Sequence, residues 1–193
     1  MAQAGVRTAT ADDVATLAAL HRETWRVGYA ELLPRDVLDG LDGPENAQAW
    51  AAAVDGGATV LIANEGGADV GFCVAGPAPA EEIAAADGTP PPDAESAALI
   101  STLLVAPRWG RRGHGGRLLA AAATQLREAG ARRGVAWVPA EDPASLGFYR
   151  RAGWELDNTV RTLDAGGRPL REVRLTGPLD LPLSDPSEQG ETA

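Results

Sequence analysis

Between Pro107 and Leu119 the chain reads Pro107-Arg108-Trp109-Gly110-Arg111-Arg112-Gly113-His114-Gly115-Gly116-Arg117-Leu118-Leu119, a mixture of glycine and arginine suited to holding an anion. Glycines at 113 and 115 let a backbone approach a ligand closely. The spacing of Leu118, Leu119, Ala122 and Leu126 predicts a helix starting at Gly115, and the free N–H groups of its first turn point back at the same spot. Such a helix start favours a phosphate, and Arg111 and Arg112 add guanidinium groups that pair with phosphate oxygens. The plainer alternative is a tight turn with solvated arginines. A Walker loop needs Gly-Lys-Ser/Thr and the chain has no lysine; a dinucleotide fold places its glycine loop after the first strand, not past residue 105. The expected ligand is therefore some other phosphate compound.

Other chemistries are poorly represented. Cys73 is the single cysteine, which excludes an intramolecular disulfide and a thiolate-rich metal site, and His21 and His114 are too few for a histidine zinc centre, so no metal is expected. Cys73 lies in an apolar run and reads as a small buried hydrophobe; His114 reads as a solvent-facing residue of the glycine loop. The net charge of −10 argues against nonspecific nucleic-acid binding. Of the 17 basic residues, all arginine, 13 fall within 108–174, which marks either an anion-binding second half or a chance segregation of solvated faces. No apolar run is long enough for a membrane helix, and Arg7 followed by Asp12 and Asp13 is no secretory signal, so a cytoplasmic location is expected.

A chain of 193 residues with 45% apolar and 23% charged content makes one domain with a proper core. A first strand is expected at Val6–Ala9, a helix from Thr10 or Asp12 to about Trp25, short helices opened by Pro34 and Pro44, and a hairpin of Ala58–Ala63 with Asp69–Ala75. Pro77–Ser96, rich in Ala, Pro and acids, reads as a solvated excursion and not as core. Ala98–Val105 is a nearly continuous apolar strand of the kind found at the centre of a sheet. It is followed by the loop, the helix to Gly130, a strand at Gly134–Val138, a helix opened by Pro143, and strands at Trp154–Leu163 and Leu170–Leu175. The domain is expected over 1–177, with 77–96 as a loop insertion and 178–193 as a flexible acidic tail.

Two motifs in order give a family resemblance. Val105-Ala106-Pro107 followed by Gly110-x-x-Gly113-x-Gly115 resembles the acyl-CoA loop of the GNAT acetyltransferases, Gln/Arg-x-x-Gly-x-Gly/Ala after an apolar strand. Gly110 replaces the family's Arg or Gln, with Arg111 beside it to supply charge. Asp142-Pro143-Ala144-Ser145-Leu146-Gly147-Phe148-Tyr149, then Gly153-Trp154, resembles the family's Asn-Pro-x-Ala-x-x-Phe-Tyr block. With Trp25, Tyr29 and Leu32-Leu33-Pro34 near the start, the resemblance covers about residues 5–176. It implies an α/β (α+β) fold, a mixed, mostly antiparallel central sheet flanked by helices. The implied reaction is acetyl transfer from acetyl-CoA to a primary amine of a small molecule by direct attack; a homodimer is the one protein partner considered.

The resemblance also distributes roles. Leu103, Leu104 and Val105 would pair with pantetheine like an added strand, a backbone N–H there stabilising the oxyanion. Arg111, Arg112, Gly113, His114, Gly115 and Gly116 would hold the pyrophosphate, with Asp142 and Ser145 completing the cofactor-binding set. Tyr149 would protonate the departing thiolate, whose thiol has a pKa of about 8.5; Phe148 would be core. Trp25 and Tyr29 either line the acceptor side or pack as ordinary aromatics. Many members carry a glutamate eight residues before the proline, where this chain has Leu99, which leaves water relayed to Glu141, Glu23 or Glu31 as the base. The competing readings are a degenerate acyl-CoA-binding sensor, favoured by the missing Glu, and a peptide N-terminal acetyltransferase.

Overall fold

Apolar residues that alternate along a strand buried on both faces must feed two cores, and this chain shows that pattern in its computed structural model, which describes residues 3–181. The strands are β1 (Ala4–Thr8), β2 (Thr59–Glu65), β3 (Ala68–Pro77), β4 (Ala97–Val105), β5 (Arg133–Pro139), β6 (Glu155–Ala165) and β7 (Arg168–Pro178). The helices are α1 (Val14–Gly28), α2 (Arg35–Gly40), α3 (Pro44–Asp55), α4 (Ala80–Ile83), α5 (His114–Glu128) and α6 (Pro143–Arg151). Leu61 and Ala63 of β2 join one core with Leu118, Leu119 and Ala122 of α5, whereas Val60 and Ile62 join the other with Leu17 of α1 and Trp50 of α3. The sheet thus separates α5 and α6 from α1 and α3.

The seven strands form one sheet in the order β1-β2-β3-β4-β5-β7-β6, and β4 with β5 is its one parallel pair. This is the mixed, mostly antiparallel sheet flanked by helices that the resemblance implies. At its start, Thr10 caps a 3-10 turn, Ala11–Asp13, that precedes α1, and α1 continues to Gly28, about one turn past Trp25. The Arg7 guanidinium bonds both oxygens of Asp13 at 2.7 Å. Despite partial burial, that bond holds the Asp13 carboxyl well below the usual carboxylate range.

Two sequence expectations give way to packing. The 77–96 segment is not wholly solvated: it contains α4, and Ile83 is 2% exposed against Ala97 and Val135. Its backbone is tied down as well, since the Glu82 carbonyl accepts from Trp137 Nε1 and Arg174 Nη1. One apolar residue among alanines and acids carries too little periodicity to register as core. The end of the domain also moves: Leu179, assigned above to the tail, is 1% exposed beside Trp154, whose indole N–H donates to the Pro178 carbonyl. The remainder of the expected tail, 182–193, lies outside the described residues.

Candidate active site

The site begins where two strands part. β4 and β5 pair in parallel at Ala97↔Arg133, Ala98↔Gly134 and Leu99↔Val135, and the ladder stops there. One residue later the pairing of β4 with β3 shifts, Val74 facing Thr102 while Ala75 faces Ile100, so that Ser101 is the extra residue of a bulge. A bulge bends its strand and interrupts the ladder. From Ile100 onward β4 therefore keeps β3 on one side and presents its other edge to a gap. Backbone N–H and C=O groups on that edge require partners, and the gap holds two adjoining cavities.

The larger cavity, about 540 Å³, lies over the exit of β4 and the start of α5. Leu103 and Val105 form its strand side, Gly110, Arg111, Gly113, His114, Gly115 and Gly116 its loop side, and Ala144, Ser145, Phe148 and Arg151 of α6 its far wall. The loop is a sharp reversal: Arg111 has φ of 62° and Gly113 has φ of 81°, values in the left-handed region that L side chains rarely adopt. Gly113 turns the chain into α5, whose first N–H groups open on the cavity.

Not every expected anion-binding residue is on this lining. Arg112 stacks over Trp109, 5.0 Å from the ring centroid, and faces Glu65 at 3.5 Å, outside the cavity. Asp142, absent from this lining, caps α6: its Oδ1 accepts from the N–H groups of Ala144 and Ser145, and its Oδ2 accepts the Ser145 hydroxyl at 2.6 Å. His114 is a correction of a different kind. It is 1% exposed, not solvent-facing, and its Nε2 lies 2.7 Å from Glu65 Oε2. The long-range contact with β2 that buries it has no trace in the local sequence. Its Nδ1 and Trp109 Nε1 are buried without hydrogen-bond partners; both residues belong to the cavity wall.

The smaller cavity, about 120 Å³, continues through the gap toward α1. Trp25, Tyr29 and Leu33 close it from one side, Ile100 to Leu104 from β4, Trp137 to Pro139 from β5, and Leu170 and Glu172 from β7. Trp25 and Tyr29 therefore do face a cavity, stacked at a tilt with centroids 5.3 Å apart. The Tyr29 phenol is pushed upward by burial first, then by the Asp142 and Glu172 carboxylates. Glu141 and Glu31 are exposed, and Glu23 faces Arg108 at 3.7 Å; none of the three lines this space.

Tyr149 and Ser145 line both cavities. Tyr149 is 5% exposed, its ring stacked on Trp154 with centroids 5.1 Å apart. Burial raises its phenol well above the ordinary 10, with Cys73 and Tyr29 as smaller causes in the same direction. At neutral pH it is a protonated donor at the junction. A gap with a free strand edge, a glycine loop opening a helix, and a phenol between the two spaces now stand together. Residues 14–154 match the Acetyltransferase (GNAT) family.

The chain is a member of the GNAT family. It is 30% identical over 176 residues, 90% of this chain and 92% of the relative, to the uncharacterized N-acetyltransferase YuaI of Bacillus subtilis (strain 168). Its fold is similar to that of a ribosomal-protein-alanine N-acetyltransferase from Brucella melitensis, with TM-score 0.68, 22% identity, and coverage of 90% of this chain and 99% of that one. A phosphinothricin acetyltransferase from Sinorhizobium meliloti, solved in complex with acetyl-CoA, gives TM-score 0.65, 21% identity, and coverage of 91% and 88%. Membership makes the protein an acetyl-CoA-dependent acyltransferase. Among the residues lining the two cavities that sequence reasoning missed are Arg151, Trp137, Leu170 and Glu172. The available signal was slight: Leu170, Glu172 and Arg174 share one face of β7 at period two while Val173 and Leu175 turn to the other.

Proposed function

We propose that this GNAT chain transfers the acetyl group of acetyl-CoA to the primary amine of a small molecule, by direct attack of the amine nitrogen on the thioester carbonyl. The carrying observation is that Tyr149 stands on the wall shared by the two cavities. The larger space suits the donor. Its open β4 edge at Leu103–Val105 offers the N–H and C=O groups that the amides of pantetheine need, and the same edge supplies a donor for the developing oxyanion. Arg111, Gly113, His114, Gly115 and Gly116 suit the pyrophosphate, with Ser145 and Arg151 on the opposite wall. The smaller space suits the acceptor.

Tyr149 serves as general acid to the departing sulfur. Its raised phenol is a weaker acid than a free thiol, but the burial that raises it also disfavours a thiolate beside it, so the two are brought back toward a match. The smaller cavity, about 120 Å³ against about 540 Å³ for the larger, favours a compact acceptor over a folded polypeptide surface. The test is release of CoA thiol from acetyl-CoA with small amines and, in parallel, with peptides bearing free α-amines. Release with small amines is expected; release with peptides alone would overturn the small-molecule reading, and acetyl-CoA binding with no release to either would favour a sensor.

A further inference from the structure

A primary amine arrives at neutral pH as an ammonium and must lose a proton before its nitrogen can attack. The glutamate common at the β4 position is Leu99 here, and Glu172 is the one carboxylate among the residues lining the smaller cavity. The Glu172 side chain is 12% exposed. Its Oε2 accepts from Arg161 Nε at 2.7 Å across the β6–β7 ladder, which leaves Oε1 for another donor. Asp142, the other carboxylate close to Tyr29, has both oxygens engaged in capping α6.

The charges around Glu172 leave a negative excess. Arg161 is shared, since its Nη1 donates to Glu82 Oε2 at 2.7 Å, and two carboxylates thus bracket one guanidinium. The nearby Arg174 does not tip this balance, because Asp157 takes its Nε at 2.6 Å. With Tyr29 and Tyr149 neutral, the Arg161 cluster carries one negative charge and the Asp142 carboxylate at the cap of α6 adds a second near Tyr29, beside a cavity walled by Trp25, Tyr29 and Trp137. Trp137 already carries Arg161 and Arg174 on its ring, so the faces of Trp25 and Tyr29 and this negative excess together select a cation of modest size.

We propose that Glu172 is the acceptor-side catalytic carboxylate of this enzyme, binding the ammonium of a compact primary amine and taking its proton. The proposal rests on the amine-acetylation reading above. In the balanced step, Glu172 accepts one proton from the ammonium. The freed nitrogen lone pair then forms an N–C bond to the acetyl carbonyl, the C–S bond breaks, and the sulfur takes the Tyr149 proton. The second proton lost by the nitrogen returns to Tyr149, and the proton on Glu172 leaves to solvent. The products are the acetamide, CoA thiol and one proton.

The experiment compares the parent with Glu172→Gln on two probes of similar size and different charge: benzylamine, an ammonium at pH 7.5, and phenylhydrazine, uncharged there. Acetyl-CoA affinity and melting temperature report integrity, and titration of benzylamine into the CoA-bound protein reports acceptor binding without turnover. Glu172→Gln should keep acetyl-CoA binding, lose about 10²–10⁴-fold in turnover with benzylamine, and lose far less with phenylhydrazine, which brings its lone pair already free. Should the Gln variant not fold, Glu172→Asp keeps the charge on a shorter arm and should show the same order of losses, reduced in size. Equal loss on both probes, or no loss on either, overturns the assignment while leaving amine transfer intact. Glu172-dependent binding of benzylamine with no CoA release by the parent overturns amine transfer while leaving the ammonium site. Neither binding nor release overturns both.

Discussion

The two cavities of this enzyme are built in opposite ways. The larger draws its lining from two short stretches, 103–116, a strand and turn running straight into a helix, and 144–152, which is α6 and its C-terminal cap. The smaller draws on five, from α1 and the turn after it, β4, β5, α6 and β7, so that residues as far apart as Trp25 and Glu172 meet across one space. A donor common to a family can be held by one local device, a turn that aims N–H groups. Under the proposed reading the acceptor is met instead by side chains from many elements, each of which can change without disturbing that turn. Tyr149 and Ser145 stand where the two designs touch.

Tyr149→Phe tests that junction and should have the largest effect. The ring remains to stack on Trp154, so melting temperature and acetyl-CoA affinity should hold, while turnover falls by about 10²–10⁴-fold. Since burial raises the phenol, Tyr149 stays protonated as pH rises, and the parent's turnover should show no basic limb from this group below pH 10. A matching loss of acetyl-CoA affinity would mean that the hydroxyl belongs to the donor space, and the division between the cavities would fail at its boundary.

Leu179→Ala comes next, and it bears on how far the core behind Tyr149 depends on the segment that follows β7. Leu179 is fully packed beside Trp154, so the truncation should cost about 2–5 kcal/mol in denaturant unfolding. A change within about 0.5 kcal/mol would return that residue to the tail. On the donor side, Gly113→Ala places a Cβ on a residue with φ of 81°, which should cost about 1–2 kcal/mol. That loss should be read both as lower stability and as weaker acetyl-CoA binding, because the strained turn is the one that starts α5. Undiminished affinity would separate the glycine turn from the ligand.

The smallest effect is expected from Arg112→Ala. Arg112 lies over Trp109 and faces Glu65 at the surface, and exposed pairs of this kind contribute about 0–1 kcal/mol. Acetyl-CoA affinity should change little, whereas Arg111→Ala, on the cavity wall, should weaken it clearly, and more so at low salt. Calorimetric titration of the two variants checks the order; a reversed order would show that the loop rearranges around its ligand.

The glycine loop, the helix after it and the Tyr149 helix were legible because each is written in one continuous stretch with its own punctuation. Glu172 was not, since Arg171-Glu172-Val173-Arg174 reads as an ordinary solvated strand face until Arg161 and Trp137 are seen beside it. His114 misled for the same reason: a histidine between glycines looks exposed, and it is buried where it meets Glu65, 49 residues earlier, and Trp109. Ile83 and Leu179 are single apolar residues in polar or proline-rich surroundings, and a single residue carries no period.

By itself the sequence determined the kind of machine this is. Short-range facts suffice for that: a strand running into glycines and arginines, a helix start behind it, an Asp-Pro helix carrying Tyr149, and the absence of lysine that removes the Walker alternative. Tertiary structure decided how wide β4 and β5 part, where the bulge at Ser101 falls, and which carboxylate reaches the gap. The physical reason is that helices and turns are closed by hydrogen bonds a few residues apart, whereas a cavity between strands is fixed by register and by packing from distant elements. Glu172 acquires its place only when β5, β6 and β7 are paired around it.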